Sequence, residues 1–426
     1  MSQGNTSTSF GALLKQYYTD EVVADSTYDK NPLFAMLPKA EDITGSYYNV
    51  PVIYGQGQGR SAVFTTAQNV GAVDGTAVAN FQVPLVQNWE DATISSQLIL
   101  QSGNDRGAFL KAATQVTDGQ LKNLALDCEI SLFGDGSGAR GVISSTTTIA
   151  SATISFVNPK SALNFEVGMR LDLAAASETG SLRALAGGAG VYPVVGSVNR
   201  IAGSITLVNA AGAAININNS SYGWTSPADG DVLFQAGDQG LKMYGLQSWL
   251  PYGGPASNDS FTNSGVNRSL DNVRLAGLYM NGAGLSTEEC LIKAAAAVSE
   301  QGDDVTHFFM NFPKFAALAS SLSSKVQITN VMMTPTVGFR YIEIMGPSGP
   351  IKVVPSRACP ATNIFGLKLS EWELVSVRKA VFVWDLDGRD SLRQGSDSGL
   401  EMRFMSFSNL VCHKPSANIN VQVASA

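Results

Sequence analysis

The chain has 426 residues, enough for two to four structural units of about 100 to 200 residues each. Hydrophobic residues make up 44% and charged residues only 15%, against about 25% charged in an average soluble domain, so the surface is charge-poor rather than disordered. With 28 Lys and Arg against 35 Asp and Glu the net charge is −7, which excludes affinity for nucleic acid by bulk charge, because neutralising phosphates needs a basic excess.

No basic stretch followed by an apolar one opens the chain, and no run of about 18 apolar residues occurs. The sequence therefore predicts neither a secretory leader nor a membrane span. Cys128, Cys290, Cys359 and Cys412 form no CxxC pair and read as reduced thiols, not as a zinc site or disulfide framework.

Residues 1–43 read as an amino-terminal arm. Phe10, Leu13, Leu14, Tyr17 and Tyr18 share one face of a short helix, which is marginal alone and should dock on something larger. Asn31-Pro32 stops any helix there, and Leu33, Phe34, Met36 and Leu37 follow as an apolar anchor. From residue 46 to 100 the period becomes two. Tyr48, Val50, Val52 and Tyr54 predict an outgoing strand; Gly55, Gly57 and Gly59 interrupt it; Phe81, Val83 and Leu85, then Ile94, Leu98 and Leu100, read as returning strands. The result is a long hairpin with a mobile, glycine-rich tip. Such a ribbon cannot bury both faces in its own chain and needs outside support.

Over residues 104–133 Phe109, Ala112, Val116, Leu121, Leu124, Cys128 and Leu132 recur at helical steps around Gly119, predicting a rod of about 45 Å ended by Gly134, Gly136 and Gly138. Residues 139–238 shift to Thr, Ser, Ala, Gly, Val and Ile with sparse charge. Short strands at 152–157, 169–173, 192–198, 204–208 and 231–235 predict a small barrel or sandwich.

Further on, Ser286 and Glu289 make a capping box for a helix carrying Leu291, Ala294, Ala295 and Val298 and ending at Gly302. Asn311 and Pro313 open another, with Phe315, Leu318 and Leu322 inward. Strands then follow at 341–345, 351–354, 372–377, 381–384, 402–407 and 419–423, so the class is α+β.

Chemistry is sparse. His307 and His413 are the only histidines, and neither lies in a metal-binding pattern. Cys412 and His413, adjacent on a predicted strand, point to opposite faces and cannot act as nucleophile and base together. Ser348 lies in no GxSxG, the glycines at 55, 57 and 59 lack phosphate-loop spacing, and Asp385-Leu386-Asp387-Gly388 places its glycine too early for a calcium loop. The sequence thus predicts no catalytic residue, no cofactor and no metal. A competing expectation makes the 139–238 unit a carbohydrate- or cell-surface-binding β module with Tyr192, Tyr222 and Trp224 as its platform.

The order of arm, long hairpin, long helix, inserted β unit and α+β region resembles the major capsid proteins of tailed bacteriophages, of the Hong Kong 97 fold. Local stretches resemble that family too: Tyr28-Asp29-Lys30-Asn31-Pro32-Leu33, Val50-Pro51-Val52-Ile53-Tyr54-Gly55, Gly265-Val266-Asn267-Arg268-Ser269, Met310-Asn311-Phe312, Glu401-Met402-Arg403 and Lys414-Pro415-Ser416-Ala417-Asn418. The resemblance implies an amino-terminal arm at 1–43, an extended loop at 44–92, a peripheral domain with spine helix at 93–138, an inserted all-β domain at 139–238, an axial domain at 239–369, peripheral-domain strands at 370–415 and a terminal axial-domain strand at 416–426. Leu33, Phe34, Leu37, Tyr54, Arg60 and Phe64 are then the expected contacts between subunits.

The same resemblance implies hexamers and pentamers closing an icosahedral head, a scaffolding protein, a portal protein and a cement or decoration protein as partners, and double-stranded DNA enclosed rather than specifically bound. No long helical extension precedes residue 28, so the scaffold is expected as a separate protein. The location implied is the virion, assembled in the bacterial cytoplasm; an encapsulin-like nanocompartment shell is the alternative on the same fold. Some members of the family lock their shells with lysine to asparagine isopeptide bonds from the extended loop. Here residues 44–92 hold no lysine, and Arg60, their one basic residue, cannot replace it because a guanidinium stays protonated. No such crosslink is expected.

Overall fold

The computed structural model describes residues 31–41, 43–94, 112–255, 266–322, 342–384, 392–393 and 400–423. The helix expected at Phe10–Tyr18, the strand positions Leu98 and Leu100, the Phe109 end of the long helix and the Asp385–Gly388 turn lie outside them. Helix α1 (Pro32–Met36) opens on proline, whose fixed φ suits a first helical turn. Strand β1 (Lys39–Ala40) runs parallel to Leu374 and Val375.

Strand β2 (Tyr47–Gly55), helix α2 (Phe64–Val73) and strand β3 (Ala77–Pro84) build the hairpin, with Tyr47 opposite Pro84 and Ile53 opposite Val78. The tip therefore carries a helix where only a glycine-rich turn was expected. The returning strands also differ from expectation. Pro84 is the last hairpin pair, and strand β4 (Val86–Ile94) leaves to pair antiparallel with residues 400–408. Alternation marks β4 as a strand but does not name its partner. Helix α3 (Ala112–Phe133) follows, 22 residues and so about 33 Å long. The chain leaves it through Gly136 at φ +86°, where an added Cβ would also stand 2.9 Å from the Tyr244 ring.

Next come β5 (Ala139–Val142), β6 (Thr153–Ser155), β7 (Leu171–Ala174), β8 (Val194–Asn199), β9 (Ser204–Val208) and β10 (Val232–Gln235). They form two three-stranded sheets, β5-β10-β7 and β6-β9-β8. Both sheets contribute to one core of Phe156, Phe165, Leu173, Leu207, Trp224 and their neighbours, all between residues 143 and 233. Phe156 and Phe165 stack at 4.9 Å. Asp231 is buried yet satisfied, because Arg183 donates to both its oxygens at 2.9 Å and the Ala176 and Ala228 amides add two more bonds.

A core made wholly from one stretch of chain needs no other stretch to fill it. Residues 139–238 expressed alone are therefore expected to give dispersed amide NMR signals and one cooperative melt. Collapsed, disordered spectra would show that the core depends on the rest of the chain.

The remainder holds α4 (Leu246–Trp249), β11 (Leu278–Asn281), α5 (Thr287–Glu300), β12 (His307–Met310), α6 (Phe312–Leu322), β13 (Ile342–Gly346), β14 (Gly349–Pro355), β15 (Asn363–Leu367), β16 (Trp372–Ser376), β17 (Phe382–Val383), β18 (Leu392–Arg393), β19 (Leu400–Cys412) and β20 (Ile419–Gln422). One sheet runs β11-β20-β15-β12-β14-β13, with α5 and α6 packed on it through Leu291, Ala294, Val298 and Leu318. The other runs β1-β16-β19-β17, and β4 and β18 also pair with β19. As the capping box predicts, Ser286 Oγ accepts from the Glu289 amide at 3.2 Å. Strand β15 escapes the sequence because every residue of it is buried, so no alternation marks it.

The hairpin base, the arm, α3 and both of these sheets share one core. At its centre Trp249 meets Phe81 at 5.4 Å and Trp372 at 6.4 Å, while its indole Nε1 donates to the Leu410 carbonyl at 3.0 Å.

Candidate assembly interface

Period-two alternation sets the two faces of the hairpin. Val50 and Val52 on β2, with Ala79, Phe81 and Val83 on β3, point into the core. Tyr47, Ile53 and Val78 point to solvent on the other face, Ile53 and Val78 as a cross-strand pair. Helix α2 buries none of its residues: Phe64 is 77% exposed and Val73 89%, with Val63 and Val70 exposed beside them. Between residues 44 and 89 the only charged side chains are Arg60 and Asp74.

The glycines there have a packing role. A Cβ on Gly59 would come within 2.7 Å of Gly71 Cα, so the 56–62 segment can lie against α2 only as glycine. Asp74 stays exposed at this crossing and accepts from the Gln58 amide at 2.8 Å. What remains outward is an apolar, almost uncharged finger. Apolar patches of this kind on a soluble chain mark contact surfaces.

Of the six contacts expected from sequence, Leu33 and Leu37 are buried in the chain's own core and have no surface to offer. Phe34 is half-buried, with Lys39 Nζ 4.4 Å from its ring centre. Tyr54 is half-buried, and its carbonyl accepts from Arg274 Nη1 at 2.6 Å. Arg60 and Phe64 are exposed on the finger. Sequence reasoning passed over Ile53, Val63, Val70, Val73 and Val78. The signal for Ile53 was present, since it alternates with Val50 and Val52; α2 gave none.

Glu129 on α3 fixes the arm. Its carboxylate accepts from the Leu33 amide at 3.2 Å, the Phe34 amide at 2.7 Å and Ser356 Oγ at 3.0 Å. Burial pushes this carboxyl up to about 7 against the pull of those three bonds. The folded chain thus holds a proton that the unfolded chain releases near pH 4.5. Its contribution is fully present below that pH and is lost as pH rises through about 7, a change of roughly 3 kcal/mol. Glu90 and Glu178, pushed up to about 7 and about 8, act in the same direction. Glu129→Gln is expected to reduce the loss of urea stability between pH 5 and pH 8. An unchanged slope would remove Glu129 from the account.

A second buried cluster ties α3 and β4 to both ends of the 139–238 segment. Asp127 on α3 accepts from Arg140 Nη2 on β5, from Lys242 Nζ at 2.7 Å and from Asn88 Nδ2 on β4 at 2.5 Å. Lys242 also pairs with Asp238 at 3.0 Å. Burial alone would raise the Asp127 carboxyl, but the charges of Arg140 and Lys242 outweigh it and hold the group well below the usual carboxylate range.

No protein-family model and no curated protein sequence matches the chain. Solved structures do. The capsid asymmetric unit of cyanophage A-1(L) superimposes with a TM-score of 0.51 over 96% of each chain at 10% identity. The holo-SrpI encapsulin complex from Synechococcus elongatus gives 0.51 over 99% of this chain and 96% of that one at 9% identity. The chain has a Hong Kong 97-like capsid fold.

Within this capsid fold most of the residues that might suggest chemistry are packed away. All four cysteines are buried free thiols; burial pushes Cys128 up to about 12 and Cys359 and Cys412 well above the ordinary thiol range. Burial and Lys352 lower His307 to about 4, and the exposed His413 ring lies 3.3 Å from a Glu373 oxygen. Trp224 is 1% exposed inside the core shared by the two three-stranded sheets. The binding platform expected from Tyr192, Tyr222 and Trp224 therefore does not exist as a surface, because its largest member is spent on packing. Among the described residues no helix is long and apolar enough to cross a membrane.

Proposed function

We propose that the chain is the major capsid protein of a tailed bacteriophage, a structural subunit rather than an enzyme, forming the hexamers and pentamers of an icosahedral head around double-stranded DNA. The observation that carries this reading is the charge-poor finger: β2, β3 and α2 present Ile53, Phe64, Val73 and Val78 to solvent on a chain of which 96% superimposes on a cyanophage capsid subunit. A neighbouring copy is the surface such a finger needs, since closed shells arise from repeated heterologous contacts. Depletion of charge suits burial between subunits.

On this reading the hairpin is the extended loop, α3 the spine helix and the six-stranded sheet with α5 and α6 the axial domain. A separate scaffolding protein, a portal protein and a cement or decoration protein are the expected partners, and the virion is the location, after assembly in the bacterial cytoplasm. The −7 net charge lets the shell enclose DNA without gripping it. An encapsulin-like compartment is the second reading, favoured by the equal fold similarity to the Synechococcus elongatus encapsulin.

Nuclease-treated particles purified from infected cells separate the two. Protected, genome-length DNA inside supports the phage head; an enclosed protein cargo without DNA supports the compartment; no particle containing this chain overturns both. Because residues 44–92 hold no lysine, shells boiled in denaturing detergent are expected to run as one band near 44.8 kDa. A covalent ladder surviving reductant would show an unforeseen crosslink.

A further inference from the structure

A cavity of about 440 Å³ opens between the inserted sheets and the six-stranded sheet. Arg140 and Lys160 line one side, Asn311 and Arg357 the other, with Glu178 as the one acid among the lining residues. Two of these lining residues carry a buried donor without a partner, Arg140 at Nε and Asn311 at Nδ2. Their side chains cannot turn to find one. Arg140 is 6% exposed and held by Asn164, Asp127 and Gln235 through its other nitrogens. Asn311 is 5% exposed and fixed by its Oδ1, which accepts from the Lys314 amide at 3.1 Å and caps α6.

Leaving a buried donor unmade costs about 1–3 kcal/mol, so two on one cavity point to an acceptor from outside the chain. The charge around them gives its sign. Lys160 at the rim has no ion pair among the described residues, Arg357 pairs with Glu166 at 3.1 Å, and the positive end of α6 begins at Phe312 in the cavity wall. The Glu178 carboxyl donates a hydrogen bond to Asp135, and this, with burial and the nearby Asp135 charge, pushes it up to about 8, so it is largely uncharged at neutral pH.

We propose that this cavity binds a small oxyanion, a phosphate or a carboxylate, which accepts from Arg140 Nε and Asn311 Nδ2 and is balanced by Lys160 and Arg357. Because its walls come from β5 and the 158–164 segment on one side and from α6 and residues 356–361 on the other, the bound anion braces the inserted sheets against the six-stranded one.

Isothermal titration of the full-length protein with sodium phosphate and with sodium acetate, against sodium chloride at equal ionic strength, tests this. Saturable binding of either anion, absent with chloride, is expected, and the tighter of the two names the source. Asn311→Asp keeps the capping oxygen and exchanges only the free donor for a negative oxygen, so it is expected to weaken binding by about tenfold or more. Lys160→Gln, at an exposed position that fixes no fold, is expected to weaken it several-fold. Melting in chloride shows whether each variant is folded; if Asn311→Asp is not, Lys160→Gln decides. No binding of either anion, or undiminished binding by the folded variants, would overturn the proposal.

Discussion

Phe64→Asp combined with Val73→Asp is expected to leave the subunit folded and to abolish shell formation. Neither side chain contributes to the chain's own core, since α2 buries nothing, so substitution there costs the monomer little. In a shell each would lie against a neighbour, and burying one such side chain is worth about 1.5–3 kcal/mol. Replacing two of them by carboxylates removes that gain at every copy of the contact and adds the cost of burying charge. Repetition around the shell multiplies the effect. Sedimentation should show wild type as large particles and the double variant as soluble subunits with unchanged circular dichroism. Shells formed by the variant as readily as by wild type would show that the finger touches nothing.

Asp127→Ala is expected to destabilise the subunit by about 3–5 kcal/mol, the range for removing one partner of a buried ion pair. The loss is large because Asp127 serves two cations, and without it Arg140 and Lys242 face each other in a buried site with only Asp238 between them. Urea denaturation at neutral pH measures it. Replacing the whole cluster by apolar groups would cost less than breaking it, since a matched removal strands no charge. A loss below about 1 kcal/mol would mean that water reaches the cluster and compensates.

The sequence was most informative where one face of an element is buried and the other is not. Tyr48, Val50, Val52 and Tyr54 alternate because β2 lies on a core, and Ser204–Val208 reads as a strand for the same reason. It was silent where burial is complete or absent. Strand β15 is buried throughout and α2 not at all, so neither shows a period. Partner choice was equally hidden: β4 looks like a hairpin strand but joins β19. Leu33 and Leu37 show the limit for interfaces, because an apolar anchor reads the same whether it fills its own core or a neighbour's. Glu129, holding amides 95 and 96 residues away, and Asn311 with its free donor depend on contacts that no local pattern carries.

A cryo-electron microscopy reconstruction of the assembled particle tests the central claim most directly, because it shows what lies over the hairpin. The account predicts a closed shell in which Ile53, Phe64 and Val73 rest on an adjacent copy and lose their solvent exposure. A shell in which the finger projects into solvent, or purified protein that stays monomeric even beside its scaffold, would contradict it.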